Sequence, residues 1–267
     1  MDVPGGRRRK PQPKKQLIVG IGEVLWDVYP DGRYPGGAPA NFAHHVHHLG
    51  QDACVISRVG RDKLGDELVE RLSMAGLDTS WIQRDAQRPT GSVKVNLDRQ
   101  GVPRFQCADN VAFDYLEPAP QWQSLYAAVD AVLFGTLAQR RDPGRNAIRE
   151  FLAQVPSALR IYDVNIRGWS ETTRHIVIDS LRLASALKLN QEECALLQEA
   201  FGYEEKHPAL FLRFLVQEFE LVLVALTLGS QGCVLVRKDE IVYEPGLAVE
   251  ATDTTGAGDA FAAGLVV

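Results

Sequence analysis

Short apolar runs alternate with amphipathic segments along most of the chain, and this alternation constrains the fold more than any other feature. The apolar runs have the length of strands, and the amphipathic segments have the length and the stop signals of helices. The predicted strands are residues 16–22, 53–59, 131–134, 160–164, 186–189 and 221–226. The predicted helices are residues 39–49, 64–75, 142–155, 171–183, 191–200 and 208–218. This order predicts an α/β fold with a mainly parallel central sheet flanked by helices.

Two segments depart from the alternation. Residues 92–97 and 102–107 alternate in polarity around a turn at 98–101, which predicts a β-hairpin. Residues 233–237 and 240–244 are predicted to form a second antiparallel pair. An antiparallel insertion in an α/β chain indicates a lid or a dimer surface, so we assign one of these roles to the first hairpin.

Composition narrows the functional classes. The 267 residues carry a net charge of −5, which argues against general binding of nucleic acid. No apolar run approaches the length of a membrane span. The cysteines are far apart and form no CxxC pair, which predicts a reduced, cytoplasmic protein. Residues 1–15 combine six basic residues with Pro and Gly, which predicts a disordered leader; a tail that binds an anionic partner is the alternative.

Polar residues follow the ends of several predicted strands, where ligands collect in an open α/β sheet. A single one could be an ordinary loop residue, but the repetition predicts one shared site. The residues are Glu23, Asp27, Asp163, Asn165, Arg167, Asn190, Glu193, Thr227, Gly229, Gly232, Asp253 and Asp259.

Residues 253–259 (DTTGAGD) predict the chemistry of that site. Gly256, Ala257 and Gly258 form a small-residue turn that leads into a helix, and such a turn offers N–H groups and the positive end of the helix dipole to an anion. Asp259 would repel that anion, unless it takes a proton from a nucleophile that attacks a bound phosphate. The segment therefore predicts phosphoryl transfer to a hydroxyl group.

Other nucleotide-binding signatures are missing from the sequence. It contains no GxxxxGK[ST] motif, which excludes a P-loop enzyme. Gly20 and Gly22 match the first two glycines of a dinucleotide fingerprint, but Leu25 stands at the third. A nicotinamide oxidoreductase is therefore the weakest of the alternatives.

Residues 36–41 (GGAPAN) and 253–259 together resemble the paired signatures of the ribokinase-type (PfkB) carbohydrate kinases. Residues 60–65, 163–167, 190–193 and 227–232 lie between them in the order of the family's other motifs, and the resemblance covers residues 16–267. Residues 22–27 and 134–140 look most like the fructokinase branch. The resemblance implies a three-layer ribokinase-like fold with a small β lid, built from about residues 24–36 and 90–107.

The resemblance also implies roles at matching positions. Asp259 would be the general base, and the N–H groups of Gly256, Ala257 and Gly258 would stabilise charge on the moving phosphoryl group. The sugar would be held by Asp27, Gly36, Gly37 and Asn41, and Arg167 would steady a phosphate or a polar group of the substrate. ATP would contact Asn190, Thr227, Gly229 and Gly232.

Metal ions are implied at two places. Asn190 and Glu193 would orient Mg²⁺ through water, although the same pair also fits a helix capping box. Asp253 and Thr255 match part of a site for a monovalent cation, K⁺ in many members of the family. His44, His45, His47 and His48 suggest a further metal site, but no carboxylate or cysteine nearby completes it, which favours packing and exposure.

The implied function is an ATP-dependent sugar kinase that phosphorylates a primary hydroxyl group, with fructose giving fructose 6-phosphate. Another ketose, a sugar acid or a nucleoside are alternative acceptors, and a homodimer through the lid is a possible assembly. Family members usually continue beyond the GAGD helix, so the resemblance implies a C-terminally incomplete domain. A non-catalytic sugar-binding module is the alternative from a different functional class.

Overall fold

A computed structural model describes residues 14–97, 103–205, 207–250 and 253–267. Most of the predicted leader and the predicted turn at 98–101 lie outside these residues. The strands are β1 (Leu17–Ile21), β2 (Leu25–Tyr29), β3 (Gly32–Gly36), β4 (Asp52–Gly60), β5 (Ile82–Asp85), β6 (Gly91–Leu97), β7 (Pro103–Cys107), β8 (Val129–Gly135), β9 (Leu159–Asp163), β10 (Ala186–Asn190), β11 (Leu223–Thr227), β12 (Gly232–Arg237) and β13 (Glu240–Pro245). The helices are α1 (Ala38–His48), α2 (Lys63–Met74), α3 (Gln123–Tyr126), α4 (Asp142–Gln154), α5 (Glu171–Leu183), α6 (Gln191–Ala200), α7 (Pro208–Glu218) and α8 (Ala257–Gly264).

The large sheet has the strand order β13-β12-β11-β10-β9-β8-β1-β4-β5. Neighbouring strands pair in parallel from β5 to β11, whereas β12 runs in the opposite direction and pairs antiparallel with both β11 and β13. The helices that connect the parallel strands bring the carboxyl ends of those strands to one edge of the sheet. The predicted α/β fold with a mainly parallel sheet is therefore confirmed.

Two apolar clusters cover the two faces of this sheet. One includes Phe151 of α4, Leu181 of α5 and Leu212 of α7, and the other includes Phe42 of α1 and Leu68 of α2. Successive side chains of a strand point to opposite faces, and accordingly the residues of β1 alternate between the two clusters. The result is the three-layer arrangement of helices, sheet and helices.

The lid is a separate four-stranded sheet with the order β3-β2-β6-β7. Its strand β2 pairs antiparallel with β3 and parallel with β6, and β6 and β7 form the predicted hairpin. Along β2, Leu25, Asp27 and Tyr29 face one side, whereas Trp26 points to the other side and donates a hydrogen bond from Nε1 to the Leu64 carbonyl at 3.0 Å. The tryptophan thereby fixes the lid against α2. Within the described part of the chain, no helix is both long and apolar enough to cross a membrane.

Candidate active site

A cleft of about 610 Å³ lies between the carboxyl edge of the large sheet, the lid and the first turn of α8. Strands β9, β10 and β11 lead into it from one side, and β2 and the start of α1 border it on the other. Most of the site residues predicted from the sequence line this cleft. They are Asp27, Gly37, Asn41, Arg167, Asn190, Thr227, Asp253, Thr255, Gly256, Gly258 and Asp259.

Five predicted residues stand outside the lining of the cleft. These are Gly36, Ala257, Glu193, Gly229 and Gly232. A Cβ atom at Gly36 would collide with the Asp27 carboxylate, so this glycine shapes the acceptor end indirectly. A Cβ atom at Gly232 would collide with the Glu244 carbonyl across the β12–β13 pair, which gives this glycine a packing role.

Asp259 lies in the first turn of α8, and only 9% of its surface is exposed. Its Oδ2 accepts a hydrogen bond from Asn41 Nδ2 at 2.8 Å, across a sequence separation of 218 residues. Burial and the neighbouring Asp163 raise the pKa of Asp259 to about 6, while Asn41, Lys188 and Arg167 hold it down. A carboxylate with this pKa is ionised at neutral pH and basic enough to accept a proton from a hydroxyl group.

The turn before Asp259 offers backbone donors to the cleft. Gly256 has a left-handed conformation with φ of 75°, which favours glycine, and caps the N-terminus of α8. The Ala257 N–H group donates to the Thr254 carbonyl at 3.2 Å, which closes the turn. The first N–H groups of a helix have no acceptor four residues earlier, so this end of α8 suits a phosphoryl group.

Lys188 and Asp163 form a buried ion pair beneath this turn, and no sequence motif assigned a role to Lys188. Lys188 Nζ lies 3.0 and 3.2 Å from the two carboxylate oxygens of Asp163, and both side chains are buried. Burial lowers the pKa of Lys188, but Asp163 outweighs this effect and the net shift is upward, so the ammonium group stays charged. The available signal was a single lysine inside the apolar strand β10.

Asn190 and Glu193 form the capping box that the sequence allowed. Asn190 Oδ1 accepts from the Glu193 N–H group at 2.9 Å, and Glu193 Oε2 accepts from the Asn190 N–H group at 2.9 Å. Glu193 Oε1 also accepts from the Ile166 N–H group at 3.0 Å. Both carboxylate oxygens are thus already bound to backbone donors, an arrangement that fits Mg²⁺ held through water better than a direct metal–carboxylate bond.

Asp253 and Thr255 are both exposed on the loop that leads into α8. Asp253 Oδ1 accepts from the Thr255 N–H group at 2.8 Å, which is a local turn contact. Two exposed residues of one turn do not enclose an ion, so these contacts do not fit a complete site for a monovalent cation.

The acceptor end of the cleft is crowded with carboxyl groups. Glu23 is 3% exposed, and burial raises its pKa to about 7, with Asp259 adding to the shift and Arg167 opposing it. Burial also raises the pKa of Asp27, and Arg167 again opposes the shift. The guanidinium group of Arg167 therefore acts electrostatically on the carboxyl groups at this end.

Glu23 should make folding stability depend on pH. Its folded-state pKa lies above its ordinary value of 4.5, so its contribution to stability is lost as pH rises through about 7. The wild type should therefore lose about 2.5 kcal/mol of free energy of unfolding between pH 5 and pH 8 that Glu23→Gln keeps. Urea unfolding at both pH values measures this difference. The exposed Glu218→Gln serves as the control, and an equal difference from the wild type in both variants would show that burial of Glu23 is not the cause.

The four histidines of α1 form a local ring cluster. The ring centroids of His44 and His48 are 4.2 Å apart, and burial together with the neighbouring histidines lowers the pKa of His44. Across the described residues, no three His, Cys, Asp or Glu side chains are grouped so that they could hold a metal ion.

The 134–140 segment, which resembles the fructokinase branch, is mainly structural. Thr136 Oγ1 lies 2.6 Å from the Tyr162 hydroxyl group, and Arg140 pairs with the buried Asp114. Only Leu137 of this segment lines the cleft.

Comparisons with known proteins agree with this geometry. Residues 24–267 match the model of the pfkB family carbohydrate kinases. The crystal structure of an uncharacterized sugar kinase from Pyrococcus horikoshii in complex with ATP is 34% identical, with a TM-score of 0.78 over 94% of this chain and 83% of that one. A fructokinase from Klebsiella pneumoniae is 32% identical over 92% of this chain and 82% of its own length.

A fructokinase from Vibrio cholerae, solved with fructose, ADP and calcium ion bound, is 25% identical. Its TM-score is 0.76 over 94% of this chain and 83% of that chain. The chain belongs to the pfkB family of carbohydrate kinases, which are phosphotransferases with an alcohol group as acceptor.

Proposed function

We propose that the chain transfers the γ-phosphoryl group of ATP to the primary hydroxyl group of fructose and forms fructose 6-phosphate. The observation that carries this proposal is the 2.8 Å hydrogen bond between Asn41 and Asp259, because it joins the acceptor motif to the base in one cleft. The fructokinase from Klebsiella pneumoniae and the fructose-bound structure from Vibrio cholerae support the choice of acceptor. The ATP complex of the Pyrococcus horikoshii kinase supports the choice of donor.

In the proposed reaction, Asp259 takes the proton of the acceptor hydroxyl group. The oxygen then forms a bond to the γ-phosphorus, the bond from that phosphorus to the bridging oxygen breaks, and ADP leaves. The N–H groups at the start of α8 stabilise the charge on the moving phosphoryl group. Bound Mg²⁺ would neutralise and orient the phosphates of ATP, and Asn190 and Glu193 would hold it through water.

The charges at the acceptor end favour a neutral sugar over a sugar acid. Glu23, Asp27 and Asp259 line this end, and Arg167 is the cation that acts on all three. A substrate carboxylate would add a further negative charge to groups whose pKa values are already raised by burial. A polyol instead offers hydroxyl groups that donate to these carboxylates.

The lid is positioned to exclude water from the transfer. Asp27 and Tyr29 of β2 line the cleft, and the Tyr29 hydroxyl group lies 3.5 Å from Thr255 Oγ1 on the loop that carries the phosphoryl-binding turn. This contact connects the acceptor side to the phosphoryl side. Excluding water there would limit the hydrolysis of ATP without an acceptor.

A panel of acceptors tests the proposal. Production of ADP is measured with MgATP and fructose, a second ketose, a sugar acid or a nucleoside, and the product is identified by ³¹P NMR. We expect the highest kcat/KM with fructose and a phosphate ester at its 6-position. A higher kcat/KM with a sugar acid or a nucleoside would overturn the choice of acceptor, and fructose binding by calorimetry without any ADP production would favour the non-catalytic module.

A further inference from the structure

The Asp163–Lys188 pair lies where the proposed transfer takes place. Lys188 is an interior residue of β10 and Asp163 is the last residue of β9, and these neighbouring parallel strands place Lys188 opposite Asp163. Both side chains are nearly inaccessible, at 8% and 1%. A buried ammonium group without a partner would cost several kcal/mol, so the carboxylate keeps this charge in the protein interior.

The ammonium group reaches the underside of the phosphoryl-binding turn. Lys188 lines the cleft, and a Cβ atom added at Gly258 would lie 2.8 Å from Lys188 Nζ. Burial raises the pKa values of Asp259 and Glu193, and the charge of Lys188 opposes both shifts. Its charge therefore acts on both the proposed base and the carboxylate proposed to orient Mg²⁺.

We infer that Lys188 is a catalytic residue, whose ammonium group contacts the transferring phosphoryl group while Asp163 holds it in place. This inference rests on the proposed function. Among the described residues, the hydrogen bonds of Lys188 both go to one carboxylate, and an ammonium group has three N–H donors. A donor thus remains for a phosphoryl oxygen, and the lysine itself exchanges no proton during the transfer.

The charge balance of the cleft gives this lysine a specific task. Asp163, Glu193 and Asp259 place three carboxyl groups around the turn, and the phosphates of ATP would add negative charge there. A fixed positive charge that is already desolvated stabilises the transition state without reorganisation. A purely structural ion pair between two strands would have no need to extend to the space beside Gly258 in an anion-binding turn.

Variants can separate a catalytic role from a structural one. Lys188→Met alone would leave Asp163 buried and unpaired and could unfold the chain, so the informative variant is Lys188→Met combined with Asp163→Asn. We expect this double variant to fold and to bind fructose and ADP with dissociation constants within about twofold of the wild type, because neither ligand carries the γ-phosphoryl group. Its kcat should fall by about 10²–10³. Asp163→Asn alone leaves the ammonium group buried without its carboxylate, so it should lower the free energy of unfolding and, where the protein still folds, reduce kcat by less than the double variant does.

A binding measurement supplies a second readout that does not need turnover. In the presence of fructose and Mg²⁺, aluminium fluoride should tighten ADP binding to the wild type, because the fluoride complex mimics the transferring phosphoryl group. This tightening should be lost in the double variant. A double variant that keeps the tightening and a kcat within about threefold of the wild type would overturn the role of Lys188. A wild type that binds fructose but produces no ADP would instead overturn the proposed function.

Discussion

Replacing Asp259 with asparagine is expected to lower kcat by about 10³, because the acceptor hydroxyl group loses the base that takes its proton. Asparagine has nearly the same shape, and its side-chain oxygen can still accept the hydrogen bond from Asn41. Folding and the dissociation constant of the sugar should therefore change little. Steady-state ADP production and calorimetry with fructose measure the two effects separately.

A carboxylate far from the cleft provides the control for this substitution. Asp239 is exposed in the turn between β12 and β13, so Asp239→Asn removes one negative charge without touching the site. We expect wild-type turnover from this variant. A folded Asp259→Asn protein with near-normal kcat would mean that another group, or the substrate itself, accepts the proton.

Replacing Gly37 with alanine is expected to abolish measurable sugar binding and to lower the free energy of unfolding by about 2–4 kcal/mol. Gly37 has a φ of 107°, which side chains rarely adopt, and its added Cβ would collide with the Glu23 carbonyl. It is also the N-cap residue of α1, the helix that carries Asn41. A shift of this backbone would move the amide of Asn41 away from Asp259.

A control substitution at Gly50 separates the effect of backbone strain from the effect of the collision with Glu23. It has a φ of 91° but would meet no atom within 4 Å of an added Cβ. Gly50→Ala should therefore cost only the strain, about 1–2 kcal/mol, and leave the KM for sugar unchanged. Urea unfolding and the KM for fructose should be measured for both variants, and equal effects would show that the contact with Glu23 is unimportant.

Most strands of the large sheet could be predicted from the sequence, because the signals for these strands are local. Residues 186–200 combine an apolar run with Asn190 and Glu193 at the spacing of a capping box, and the structure places β10 and α6 there. Strand β5 was not predicted, since only Ile82 and Asp85 of its residues are buried and it shows no apolar alternation. Strands β2 and β3 had no clear strand pattern either, and β2 is completed by pairing with β6 more than 60 residues later in the chain.

Within the site, only residues that belong to recognisable sequence motifs could be predicted. The resemblance identified Asp27, Asn41 and Asp259, and the structure places them around one cleft. It gave no role to Lys188, because the partner of this lysine is set by the adjacency of β9 and β10 in the sheet. The burial of Glu23 is likewise a property of the packed cleft and leaves no trace in the local sequence.

The dependence of kcat/KM for fructose on pH tests most directly whether Asp259 is the base of this site. With a pKa of about 6, Asp259 is ionised above that pH and protonated below it. We expect kcat/KM to be level near pH 8, to reach half its maximum near pH 6, and to fall about tenfold for each further unit of pH. The same fall should persist in Glu23→Gln, because this variant removes the other carboxyl group of the cleft whose pKa is raised into this range. A level profile from pH 5 to pH 8, measured on folded protein, would contradict the assignment of Asp259 as the base.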